Sequence, residues 1–340
     1  MATLRDVAKE ANVSLATASC VINRSKRVSP ELTARVQAAI AKLGYRPNSL
    51  ARGLRTNQTM TLGLITSDIA NFYYADVARG VEDRAEREGY SLFLCNTDAD
   101  PRREERYVQT LLGRQVDGIV FTSIRQNDDS VVRLCEEGFP LVLINRRVQG
   151  FQTDYVGTDN VRGAIKVVSY LVSLGHQRIG FISGSSYSTA SAERLEGFRA
   201  ALERYHLPAD PSLIQEGDLK QESGYSAAKL LLSAENRPTA IFAANDLMAF
   251  GVLEAAAELG FEVPEDLSVM GFDDNRVAAL HGIGLSTMRQ PAYQMGRLAA
   301  EILLGKIQSR FDTDRKPREF ILPCDLVVRR TTAPVRQRKG

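Results

Sequence analysis

The stretch "RDVAKEANVSLATASCVIN", Arg5–Asn23, decides what stands at the amino end of this chain. Its apolar residues Val7, Ala8, Ala11, Val13, Ala18, Val21 and Ile22 recur at helical spacing, but "NVS" breaks the pattern in the middle. Thr3 is placed to cap a first helix, Leu4 to Ala11, with Leu4, Val7, Ala8 and Ala11 facing inward. Asn12 tolerates the left-handed conformation that a helix end needs, Val13 can plug the angle, and Ser14 caps a second helix, Leu15 to about Asn23. Two short helices joined by such a turn are the spacing of a helix-turn-helix.

A third helix follows in "SPELTARVQAAIAKLGY", with Ser29 as cap, Pro30 at the first helical position and Glu31 in the first turn. Leu32, Val36, Ala39, Ile40 and Leu43 form its buried stripe, so three helices share one small core. The fold then offers the second helix outward. Its outer residues Leu15, Ala16, Thr17 and Cys20 are small and uncharged, so the helix can enter a major groove. Around it Arg5, Asn23, Arg24, Lys26, Arg27, Tyr45, Arg46 and Arg52 can donate to phosphates.

Charge supports that division. The net charge is +2 over 340 residues, yet residues 1 to 60 carry +7 and the rest −5. A basic head on a mildly acidic body suits a polyanion-binding module joined to a ligand-binding one. The four cysteines, Cys20, Cys95, Cys135 and Cys324, are far apart in sequence, and the three histidines lie in no metal-binding spacing, so neither metal nor disulfide framework is expected. No run of about 18 apolar residues and no secretory h-region appears, so the cytoplasm is the expected location, and the nucleoid if the head binds DNA.

The head resembles that of the lactose/purine repressor (LacI/GalR) family of bacterial transcriptional regulators. The matching stretches are "TLRDVAKEANVS", "TAS", "VIN", "VSPELTARVQAAIAKLGYRPN" and "LARGLRT". The resemblance implies major-groove insertion of the second helix, with base contacts from Leu15, Ala16 and Cys20. Ala18 departs from the family's common valine. Leu15 and Ala16 can touch thymine methyls but make no bidentate hydrogen bonds, and Cys20 is a weak donor. Discrimination is therefore expected to lean on the minor groove.

The linker "RPNSLARGLRTNQT" extends the match. Asn48 to Leu54 is too short to hold helix alone, and Gly53 weakens it further. The resemblance implies that it becomes helical on operator DNA, pairs with its twin in a homodimer, and wedges Leu54 into the minor groove beside Arg55. The expected domains are 1–46, a helix-turn-helix head; 47–59, the hinge; and 60–340, a regulatory body.

In the body, apolar runs such as "TLGLIT", "SLFLCN", "GIVFTS", "PLVLIN", "RIGFISG", "AIFAAN" and "LSVMGFDD" alternate with amphipathic segments. Buried strands spaced by helices imply α/β architecture with parallel sheets covered on both faces. Seven such units exceed one ordinary sheet, and the break near "DYVGTDN" divides them into two doubly wound subdomains. No GxGxxG, GxxxxGK[ST] or GxSxG accompanies them, which argues against a nucleotide-dependent enzyme or a serine hydrolase. No cofactor is called for.

The body resembles the periplasmic-binding-protein-like domain of the same family in "VGTDNVRGA", "YLVSLGHQRIGFISG", "RPTAIFAANDLMAFGVLEAAAELG", "VPEDLSVMGFDD" and "STMRQP". Three crossovers are implied, giving one subdomain of about 60–158 plus 290–319 and another of 159–289 plus 320–340. Ligands of such folds sit at the carboxyl ends of the strands. Polar residues there are Ser67, Asp68, Asn96, Asn145, Arg146, Asn245, Asp246 and Asp273. The match adds Asn71 and Phe72 on the first loop and Arg194 across the cleft. Asp246 reads either as a helix cap or as a ligand contact, and Asp159 as a cap. The expected effector is a sugar; Arg146, Arg147 and Arg194 together raise a sugar acid or phosphosugar as well. The function implied is repression from a palindromic operator, relieved by a small molecule that changes the angle between subdomains. The alternatives are a corepressor-dependent regulator and a binding protein that never touches DNA.

Overall fold

The computed structural model describes residues 2–23, 27–45, 58–309 and 316–336. They form two compact units that divide between Thr59 and Met60. Of the expected DNA contacts, Arg24, Lys26, Arg46, Arg52, Leu54, Arg55 and the side chain of Asn23 lie outside the described residues, as does most of the hinge.

The head holds α1 (Leu4–Glu10), α2 (Leu15–Asn23) and α3 (Pro30–Leu43). Thr3 and Asp6 cap α1 reciprocally: Thr3 Oγ1 accepts from Asp6 N at 3.3 Å, and Asp6 Oδ2 accepts from Thr3 N at 2.8 Å. Asn12 stands at φ 48°, and Gly44 ends α3 at φ 58°, both in the left-handed region that a helix exit requires. Val7, Ala11, Val36 and Ala39 form the buried core, with Val13, Val21, Ile22 and Ile40 packed against it. So few apolar groups leave much to hydrogen bonding. Arg35 of α3 supplies it, donating from Nη2 to Ala11 O at 2.7 Å and to Asn12 O at 2.9 Å. These carbonyls end α1 and have no partner within their own helix.

The body contains two six-stranded sheets. The first comprises β1 (Thr61–Thr66), β2 (Ser91–Asn96), β3 (Gly118–Phe121), β4 (Leu141–Ile144), β5 (Tyr155–Thr158) and β11 (Glu319–Leu322), in the order β11-β5-β4-β3-β1-β2. In the second are β6 (Ile179–Ser183), β7 (Ile214–Glu216), β8 (Ala240–Ala243), β9 (Ser268–Asp273), β10 (Ser286–Arg289) and β12 (Asp325–Val327), ordered β12-β10-β9-β8-β6-β7. All neighbours are parallel except β12, which runs antiparallel to β10. Central strands such as β3, β4 and β8 are buried along their whole length, which is why they read as unbroken apolar runs.

Helices cover both faces. Around the first sheet lie α4 (Phe72–Arg87), α5 (Pro101–Gly113), α6 (Asp129–Glu136) and α11 (Ala292–Gln308). The second is covered by α7 (Asn160–Ser173), α8 (Thr189–Arg204), α9 (Gln221–Leu232) and α10 (Asp246–Glu258). Helices α4 and α11 cross backbone to backbone: a Cβ on Gly80 would collide with Tyr293 O, and one on Gly296 with Val77 O. This close approach ties the segment after the second crossing back onto the first sheet.

The chain crosses between subdomains after β5, after β10 and between β11 and β12. The last crossing corrects the boundary expected near 319. Strand β11 pairs with β5 from Glu319↔Tyr155 to Leu322↔Thr158, so residues 320–322 belong to the first sheet and the chain changes sides at 323–324. β11 is a four-residue edge strand, exposed over its first three residues, too short to announce a sheet in the sequence.

Candidate functional site

Two surfaces carry the expected functional residues, one in each unit. In the head, Leu15 is 45% exposed and Ala16 is exposed at the start of α2, while Thr17 and Cys20 are half-buried. Thr17 is partly committed to the turn: its amide donates to Ser14 Oγ at 3.0 Å, and the two hydroxyls lie 2.8 Å apart. No acidic side chain stands in the first turn of α2, so its amino end keeps the positive dipole that favours an anion such as phosphate. Arg5 is exposed and Tyr45 packs half-buried on the helical core.

In the body, polar side chains from both subdomains converge at the carboxyl ends of the strands. The cleft is lined by Asn71, Asn145, Arg146, Arg194, Asn245 and Asp273, together with Tyr73, Tyr74, Ser188, Ser191 and Gln290. Local backbone explains how several reach it. Asn145 at φ 58°, Asp273 at φ 125° and Asp274 at φ 57° hold conformations that side chains rarely adopt, at the ends of β4 and β9. Asn71 and Asn245 cap α4 and α10, accepting from Tyr73 N at 3.0 Å and Met248 N at 2.9 Å. Ser67, Asp68 and Asn96 line no part of this cleft; Asn96 and Asp68 fold the loop that carries Asn71, accepting from Ile69 N at 2.7 Å and Ala70 N at 2.9 Å.

The guanidinium groups are hydrogen-bonded within the wall of the cleft. Arg194 donates from Nε to Asn160 Oδ1 at 2.9 Å and from Nη1 to Ala244 O at 2.5 Å, and stacks 3.8 Å from the centre of the Phe272 ring. Arg146 reaches Ser123 O at 3.3 Å and Tyr74 Oη at 3.4 Å. Facing them, Asp273 Oδ1 accepts from Gln290 Nε2 at 2.7 Å. Burial raises the Asp273 carboxyl to about 6, with Arg194 and Gln290 pulling the other way. Behind this wall, burial chiefly raises Glu104 to about 9; its Oε2 accepts from Ser123 Oγ at 3.1 Å, the residue whose carbonyl holds Arg146.

Two expected cleft residues stand elsewhere. Phe72 opens α4 but turns away from the cleft lining, lying 5.7 Å under the Arg276 guanidinium. Its neighbours Tyr73 and Tyr74, about 100° apart around the helix, take the inward positions. Asp246 is neither cap nor lining. Asn245 is the cap, and Asp246 is fully buried behind it, accepting from Thr287 Oγ1 at 2.5 Å and Asn275 N at 2.8 Å. Burial, and then the charge of Asp273, push its carboxyl far above the usual range. Arg147 also leaves the cluster of cations: it pairs with Glu319 and lies 3.8 Å over the Tyr155 ring. Asp159 does cap α7, accepting from Arg162 N at 2.8 Å.

The cleft encloses only about 30 Å³, roughly the share of one water molecule in the liquid. Contacts across its mouth hold the subdomains together. Arg147 N donates to Thr189 Oγ1 at 2.9 Å, Gln126 N to Tyr187 O at 3.1 Å, and Arg276 pairs with Asp76. The space they close over is far smaller than an ordinary small-molecule site.

An outward, uncharged helix on a basic head, and a polar cleft between two crossover-linked subdomains, define a nucleic-acid-binding head with a ligand-responsive body. Comparison with known proteins agrees. Residues 3–48 match the bacterial regulatory proteins of the lacI family, and residues 168–332 match a periplasmic binding protein-like domain. Catabolite control protein A of Priestia megaterium is 38% identical, over 88% of this chain and 91% of its own length. The ribose operon repressor of Escherichia coli (strain K12) is 37% identical over 90% and 93%. Among solved structures, the lac repressor dimer bound to operator and an anti-inducer superposes with a TM-score of 0.86 at 29% identity, covering 98% of this chain and 99% of that one. The chain belongs to the lacI family of bacterial transcriptional regulators.

Proposed function

We propose that this regulator is a cytoplasmic repressor of carbohydrate-utilisation genes that binds a palindromic operator as a homodimer and is released by a sugar bound in the cleft. The observation that carries the reading is the convergence of Asn71, Asn145, Arg146, Arg194, Asn245 and Asp273 on one closed cleft spanned by crossovers. Such a set of amides, guanidinium groups and a carboxylate can satisfy each hydroxyl of a buried sugar. The ribose operon repressor, whose name assigns it to a sugar operon, supports the effector class. The operator-bound lac repressor dimer supports DNA and the two-fold assembly. Major-groove contact falls to Leu15, Ala16, Thr17 and Cys20, phosphate contact to Arg5, Asn23, Arg24, Tyr45 and Arg52, and the minor groove to Leu54 and Arg55. No catalytic step enters this reading.

A neutral sugar fits better than an acid. With Arg147 engaged by Glu319, two rather than three guanidinium groups line the cleft, and Asp273 opposes them. Effector and operator act on each other reciprocally, so a releasing sugar binds the operator-free form more tightly. The first test is selection of random duplex DNA by the full-length protein at moderate salt. A two-fold palindrome with a deformable central step is the expected product. Retention without a motif, fading as salt rises, would reduce the head to phosphate binding and set the repressor reading aside.

A further inference from the structure

We propose that the effector is a disaccharide or other glycoside, whose first ring occupies the inner cleft and whose second unit is held in a vestibule at the cleft mouth. This rests on the sugar reading above. The vestibule is a solvent-open space of about 500 Å³ that spans both subdomains, lined among others by Gln126, Arg147, Phe151 and Gln152 on one side and Glu193 and Glu196 on the other. Its size lies within the range of small-molecule sites, about 300–1,000 Å³, whereas the inner cleft falls far below it.

The two spaces are neighbours by construction. Arg146, Ala190 and Arg194 line the inner cleft, and the adjoining Arg147, Thr189 and Glu193 line the vestibule. A hydrogen-bonded chain joins them: Glu193 Oε2 accepts from Asn160 Nδ2 at 2.8 Å, and Asn160 Oδ1 accepts from Arg194 Nε at 2.9 Å. Between them stands the Arg147 N to Thr189 Oγ1 bond, which also joins the subdomains. Entry of a ring parts the subdomains and therefore this bond, merging the two spaces and freeing an amide donor and a hydroxyl beside the glycosidic oxygen. The chemistry beyond is right for a second sugar: amides and carboxylates for hydroxyls, and the half-buried Phe151 ring for an apolar ring face. Because the vestibule draws on both subdomains, its occupant would also bear on their angle.

Calorimetry on the full-length protein tests this with matched pairs: glucose with cellobiose and maltose, galactose with lactose, and xylose with xylobiose. At least one disaccharide is expected to bind about tenfold or more tighter than its monosaccharide. Gln152→Ala and Glu196→Ala, both at exposed positions, should bring that disaccharide to within roughly threefold of the monosaccharide and leave the monosaccharide's own affinity in place. A monosaccharide that binds as tightly as every disaccharide containing it would overturn the vestibule and leave the sugar reading standing. So would substitutions that weaken both sugars equally in proteins whose circular dichroism is unchanged. Binding of no sugar of either length would overturn the sugar reading, and the vestibule with it.

Discussion

Gln290 joins the two subdomains of the body to one carboxylate: its Nε2 donates to Asp273 Oδ1 at 2.7 Å while its Oε1 accepts from Thr158 Oγ1 at 2.8 Å. Thr158 ends β5 of the first sheet and Asp273 ends β9 of the second, and Gln290 lies on the chain passing between them. Gln290→Ala leaves a buried carboxylate and a buried hydroxyl short of a partner. The expected cost is about 1–3 kcal/mol of stability, read by urea unfolding, and effector affinity should fall with it. A Gln290→Glu change should cost more above pH 6, where two carboxylates would meet.

Glu104 makes the body's stability depend on pH. Its folded pKa, raised by burial from 4.5 to about 9, exceeds the unfolded value. The contribution of Glu104 is therefore fully present below about pH 4.5 and is lost as pH rises toward 9. Glu104→Gln keeps an acceptor for Ser123 Oγ and removes the ionisation. The variant should match the parent near pH 5 and exceed it by on the order of 1–3 kcal/mol at pH 8. Equal melting temperatures at pH 8 would show that Glu104 ionises freely in the folded protein.

Arg35 sustains the head. Arg35→Ala removes the donors to Ala11 O and Asn12 O from a core built on four small or medium apolar residues. Loss of about 2 kcal/mol is expected, enough to abolish operator binding while sugar binding by the body is retained. Simultaneous loss of both would mean that the two units do not fold separately.

Readout at the operator is expected to be lean in the major groove. Leu15, Ala16, Thr17 and Cys20 offer no bidentate donor, the kind of contact worth about 1–3 kcal/mol per base. Leu15→Ala and Cys20→Ala should leave half-site preference nearly unchanged, and Arg55→Ala should abolish it. Selection of duplexes by each variant decides the matter; the reverse pattern would place discrimination on α2.

Much of the architecture is legible in the sequence because local signals agree with tertiary demand. Thr3, Asn12 and Ser29 announce helix ends by side-chain chemistry alone, and β3, β4 and β8 announce themselves as short apolar runs. Strands β7, β11 and β12 are brief, sit at sheet edges and have no fully buried residue, so no run of buried apolar residues marks them. In the cleft, strand-end residues such as Asn145 and Asp273 follow from the position of ligands in α/β folds. Tyr73, Tyr74, Ser188 and Gln290 do not, because helix phase and the route of a crossover place them. Asp246 misleads for a related reason: the preceding Asn245 takes the cap, and the carboxylate turns inward to Thr287.

The central claim is that cleft and head are linked. Its most direct measurement is the fluorescence anisotropy of the selected palindromic duplex titrated with full-length protein, with and without a saturating sugar identified by calorimetry from the matched pairs. The predicted result is a rise in apparent Kd of about tenfold or more, a coupling of roughly 1.4 kcal/mol, which is lost in Asp273→Ala. An operator affinity unchanged by a sugar that demonstrably fills the cleft would contradict the account.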